Sequence, residues 1–192
     1  MSSCSRLLVA FLFVALASPI AHAHVDARLL RDPAVSETHV AFVYAGDIWV
    51  VSKSGGTAER LSSPPGEESV PRFSRDGRRI AFTGNYDGNS DIYLIDALGG
   101  PVTRVTHHPA ADRMLDWYPE SGRILFASTM QSGSGRFNQL YAVPSTGGLP
   151  DKLPIPYAEM AALSDDEEWL AFTFTRRQGS WKRYRGGTAP DI

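Results

Sequence analysis

The chain has 192 residues, 43% of them apolar, and a formal charge of −2. That near-balance excludes a general binder of nucleic acid or anionic membrane, whose surface carries a strong basic excess. A single cysteine, Cys4, excludes a disulfide framework.

The N-terminus reads as an address label. Arg6 supplies one positive charge, Leu7–Ala17 is an unbroken apolar run, and Pro19 and Ala21-His22-Ala23 follow. A charged start, a short apolar core and a small-x-small end mark a secretory signal peptide. The alternative is an uncleaved anchor, but the run falls short of the roughly 20 residues that span a bilayer. Residues 1–23 are therefore expected to be removed, leaving a mature chain, 24–192, that starts at His24 and has no thiol. Such a chain has no cysteine nucleophile and no cysteine-ligated metal. A bacterial periplasm or the outside medium is the expected location, with no membrane association after cleavage.

Beyond the signal the chain repeats itself. Val40-Ala41-Phe42, Ile80-Ala81-Phe82, Ile124-Leu125-Phe126 and Leu170-Ala171-Phe172 carry the same short strand, with phenylalanines 40, 44 and 46 residues apart. A second strand follows each: Asp47–Val51, Asp91–Ile95 and Gln139–Val143, with a fourth beginning at Asp191-Ile192. Gly55-Gly56, Gly99-Gly100 and Gly147-Gly148 come next, and glycine supplies the positive φ that tight turns demand. Short strands at Ala58–Leu61, Val102–Val105 and Lys152-Leu153 end the units. Leading strands end at Val35, Phe73, Trp117 and Leu163, separated from the next strand by polar turns such as Ser74-Arg75-Asp76-Gly77.

Four short strands in a unit of about 40–45 residues is the period of a β-propeller blade. One blade cannot cover both faces of its sheet, so blades must stack around an axis. A stacked β-sandwich is the alternative, but sandwiches seldom keep so regular a period. The sequence predicts an all-β fold: an incomplete propeller of three full four-stranded blades and part of a fourth, with the repeated aromatics filling the space between blades. An open ring exposes apolar faces and strand edges, so these residues alone are expected to be poorly soluble or molten.

Few residues suggest chemistry. The chain contains no Gly-x-Ser-x-Gly elbow. His107-His108 would point to opposite faces of a strand, which argues for a turn between blades over a metal site. Asp87-Gly88-Asn89-Ser90-Asp91 is similar to the start of a calcium loop, but Ile92 and Leu98 stand where that loop needs Gly and an acid. A hairpin turn explains it better. The loop after the repeated phenylalanine lengthens along the chain: the next strand starts 5, 9, 13 and 19 residues on. The longest loop holds Arg176, Arg177, Lys182, Arg183 and Arg185 with Trp181 and Tyr184 between them. A solvated loop, a single-strand nucleic-acid contact and a peptide-lined passage are the readings for it. No cofactor and no catalytic residue is expected.

Pro71–Phe82 (P-x-F-S-x-D-G-x-x-I-A-F) resembles the propeller repeat of TolB, prolyl-oligopeptidase-type peptidases and tricorn proteases. Leu29–Pro33 with Phe42–Val51, Phe82–Asn89 and above all Trp181-Lys182-Arg183-Tyr184-Arg185-Gly186-Gly187 are similar to tricorn proteases. The resemblance covers essentially the whole mature chain. It implies the first, six-bladed propeller of a serine protease, followed by a second propeller, a PDZ-like domain and a protease core. It implies a gating role, with peptide or unfolded polypeptide and those downstream domains as partners, and self-association left open. The family's paired arginines for a peptide C-terminal carboxylate match Asp112-Arg113 here. That implies Arg113 as a substrate-binding residue, with one arginine of the pair replaced by an acid and a surface inter-blade arginine as the plain alternative. A TolB-like interaction propeller and the lid of a prolyl-oligopeptidase-type hydrolase are the competing readings.

Overall fold

A computed structural model describes residues 29–62, 64–133 and 137–174. The signal segment, the basic stretch 176–185 and Asp191-Ile192 lie outside the described residues. Fourteen strands form among those described, and no α-helix. The first sheet holds β1 (Arg31–Val35), β2 (His39–Tyr44), β3 (Asp47–Ser52) and β4 (Glu59–Arg60) in chain order. The second holds β5 (Glu67–Phe73), β6 (Arg79–Asn85), β7 (Ser90–Asp96) and β8 (Thr103–Arg104). The third holds β9 (Asp112–Trp117), β10 (Arg123–Ser128), β11 (Gln139–Pro144) and β12 (Asp151–Lys152). A two-stranded sheet, β13 (Met160–Leu163) and β14 (Leu170–Thr173), opens the fourth repeat. Every pairing is antiparallel between sequence neighbours.

The local code repeats with the sequence. Ser74 Oγ donates to Asp76 Oδ1 at 2.6 Å and accepts the Arg79 N–H at 3.0 Å. Ser164 does the same with Asp166 and the Trp169 N–H. These side chains close the first hairpin of a blade by taking backbone donors the ladder leaves free. The Gly-Gly pairs sit at φ 93° and 124°, 90° and 140°, and 85° and 128°. Space is not the reason for these glycines, since a Cβ at Gly55, Gly56, Gly100 or Gly148 would meet nothing within 4 Å; the left-handed backbone is.

Alternation along each strand feeds two different cores. From β6, Ile80 and Phe82 pack with Ala41, Val43, Ile48 and Val50 of the first sheet, while Ala81 packs with Ile124, Phe126 and Tyr141 of the third. Leu125, Ala127 and Leu140 of the third sheet's other face meet Ala161, Leu163, Leu170 and Phe172 of the fourth. The sheets are therefore stacked face on face as blades, with the leading strands β1, β5, β9 and β13 packed successively together. Phe82, Phe126 and Tyr141 are fully buried between blades, each worth about 2–3 kcal/mol of apolar transfer. Phe42 and Trp49, on the first blade's other face, are only half-buried, and Trp169 of the fourth repeat is 74% exposed.

Candidate functional site

Three of the four leading strands are bent at the same register. β1, β5 and β9 each insert extra residues opposite the repeated phenylalanine of their partner strand. Asp32 and Val70, both followed by proline, take φ 48° and 51° there. A β-branched residue in the left-handed region is strained, and such bulges re-aim backbone groups. The re-aimed N–H groups reach the neighbouring blade: Val70 N–H donates to Asp32 Oδ2 at 3.2 Å, and Met114 N–H to Thr83 Oγ1 at 2.7 Å.

Just before each bulge one residue faces the residue after the phenylalanine: Arg31 opposite Val43, Ser69 opposite Thr83, Arg113 opposite Ala127. Met160 holds the matching place in β13, opposite Thr173. These four line one rim of the leading strands. Arg113 is half-buried there, and its guanidinium reaches Met160 Sδ at 3.3 Å and the Glu159 carbonyl at 3.5 Å. Its neighbour Asp112 does not share that face. Successive residues of a strand point opposite ways, and Asp112 is 1% exposed, turned into the boundary between the second and third blades.

That boundary and the one before it carry polar residues that sequence inspection passed over. Glu68 and Asp112 each lie five residues before the aromatic that ends the leading strand, Phe73 or Trp117; Ser62 and Thr106 each lie fifteen after the repeated aspartate of the second strand, Asp47 or Asp91. In the first seam Glu68 takes the Ile48 N–H at 2.8 Å and the hydroxyls of Ser62 and Tyr86. In the second seam Asp112 is one methylene shorter, and Thr106 Oγ1 takes the Ile92 N–H instead, at 2.9 Å. Neither Asp112 oxygen has a well-formed hydrogen bond, nor has Asp91 Oδ1. Burial pushes the Asp112 carboxyl up to about 6; the neighbouring Ser128 and Thr106 hydroxyls pull it down, Asp91 pushes it up, and His108 lowers it. The third seam has Pro154 and Ala158 at these places, and Ala158 is fully buried. The fifteen-residue and five-residue offsets were the available signal.

The two remaining motifs among the described residues lie in connections between strands. His107 and His108 are exposed in the β8–β9 connection, where His108 Nδ1 caps the Ala110 N–H at 3.0 Å. Asp87–Asp91 is the β6–β7 hairpin, and Arg104 is its resident cation, 2.6 Å from Asp91 Oδ2 and 3.9 Å from Asp87 Oδ2.

Four-stranded antiparallel blades stacked face to face, with leading strands together, make this chain part of a β-propeller. Residues 27–192 match the tricorn protease N-terminal beta propeller domain, and the chain belongs to that family. It is 33% identical over 160 residues to tricorn protease homolog 1 of Streptomyces coelicolor, covering 83% of this chain and 15% of that protein. Against the tricorn protease homolog of Saccharolobus solfataricus it is 26% identical, over 90% of this chain and 16% of the relative. The crystal structure of the tricorn protease superposes with a TM-score of 0.70 at 22% identity, over 84% of this chain and 17% of that one. TolB from Acinetobacter baumannii gives 0.63 at 25%, over 79% and 39%. The chain thus spans about 15% of the length of the curated homologue it matches at 33% identity.

Proposed function

We propose that this chain is a non-catalytic propeller of an exported, tricorn-type serine protease, guiding peptide toward or away from a protease core carried by other domains. Family membership over residues 27–192 supports the protease context. The observation that carries the guiding role is Arg113, a guanidinium held on the rim of the leading strands by Glu159 and Met160. Planar guanidinium suits a peptide's terminal carboxylate, while Asp112 beside it is turned away from that face. Export rests on the signal-like residues 1–23, and places the mature chain in the periplasm or outside the cell.

The test is Arg113→Ala in the full-length protease. KM for peptides with a free C-terminal carboxylate should rise about tenfold, the loss of one charge-assisted contact of about 1.4 kcal/mol. kcat, and KM for the amidated peptides, should stay unchanged. Equal effects on both substrate classes would refute the role. The likeness to TolB favours a second reading, an interaction propeller that binds envelope proteins, and under it neither class of peptide responds.

A further inference from the structure

Two seams built from corresponding positions differ in one respect. Between the first and second blades a buried carboxylate, Glu68, has three donors. Between the second and third, Asp112 is equally buried and has none of good geometry. Two substitutions produce the difference. The acid is a methylene shorter, and Met130 stands where Tyr86 stands, four residues after the repeated phenylalanine, so the phenolic donor is missing. The charges around Asp112 do not compensate. Asp91 of β7 is 1% exposed, with Oδ1 unpartnered, and its other oxygen is taken by Arg104 of β8 and by Asn89. Arg104 is divided between Asp91 and Asp87 of the β6–β7 turn. His108 of the β8–β9 connection acts on Asp112 only at a distance, with its Nδ1 spent on Ala110. β10 offers the Ser128 hydroxyl and β11 the phenol of Tyr141, which is directed to Gln139.

We propose that the seam between the second and third blades is proton-operated: a neutral Asp112 lets the blades zip together, and its ionisation sets an uncompensated negative charge beside the Arg104-paired Asp91 in a buried interface, so that the blades part there first. A neutral carboxyl can donate, and the acceptors beside it are the Ser128 and Thr106 oxygens. An ionised one can only accept, and neither of its oxygens has a hydrogen-bond donor. Ionisation of a buried, unpaired carboxylate is costly. The sign follows from the direction of the shift. The folded carboxyl titrates at about 6, above the unfolded value of 3.8, so closure is strongest below pH 4 and weakens as pH rises through 6.

The experiment is amide hydrogen exchange of the full-length chain, corrected for intrinsic rates, at pH 5 and 7.5. Opening of β9 and β7 should increase about tenfold at the higher pH, as linkage between those two values gives. β1 and β2, in the first blade, should not respond. Asp112→Asn should abolish the difference. The double variant Asp112→Glu with Met130→Tyr, which rebuilds the first seam's chemistry, should abolish it too and keep β9 protected at pH 7.5. An unchanged pH response in both variants, or an equal response in β1 and β2, overturns the proposal. So does protection by added calcium chloride that disappears in Asp112→Asn, which would put a metal ion in the proton's place.

Discussion

Removing Glu68 tests the polar seam that works. Its carboxylate is 2% exposed and accepts from Ile48 N–H, Ser62 Oγ and Tyr86 OH. Glu68→Ala orphans three donors in a largely buried seam. At about 1–3 kcal/mol for each buried unsatisfied group, less some relaxation, the loss should be about 4 kcal/mol. Tyr86→Phe deletes one hydrogen bond to a charged acceptor and should cost about 2 kcal/mol. In the Glu68→Ala background the same change should cost about 0.5 kcal/mol, since the hydroxyl has already lost its acceptor. The coupling in the double-mutant cycle is then about 1.5 kcal/mol. Burial, reinforced by Glu68, pushes the Tyr86 phenol above its ordinary range, so it remains a donor throughout the accessible pH. Urea unfolding of the full-length protein followed by tryptophan fluorescence reads all four corners, with Trp49 in the first blade and Trp117 in the third. A coupling below about 0.5 kcal/mol, the usual error of additivity, would refute the reasoning.

Gly66→Ala should destabilise by more than about 2 kcal/mol, because its φ is 154° and a Cβ there would collide with the Asn85 carbonyl oxygen and lie 2.7 Å from Tyr86 Cδ1; a thermal melt within a degree of wild type would contradict this. N-terminal sequencing of the mature protein should begin at His24, and retention of Arg6 would overturn the export reading.

Sequence periodicity determined the blades. Apolar alternation with a two-residue period, Gly-Gly turns and the recurring phenylalanine are local facts, each dictated by the backbone of one strand or hairpin. They place β2, β6, β10 and β14 and the three complete sheets without reference to any distant residue. Even the serine-aspartate turns were readable, since Ser74 and Asp76 bond to each other and to their own loop. The tertiary structure alone decided which face each blade gives to which neighbour, and with it the fates of two adjacent residues. Asp112 and Arg113 look like a pair in the sequence, but a strand's pleat sends one into a seam and the other to the rim. Phe42 and Phe82 are identical repeats in the sequence, yet only Phe82 has a described blade on each side of its sheet and is fully buried. Burial and partnering of a side chain depend on atoms contributed by residues twenty to fifty positions away, as with Ile48 and Glu68, and a local pattern contains no information about whether those atoms arrive.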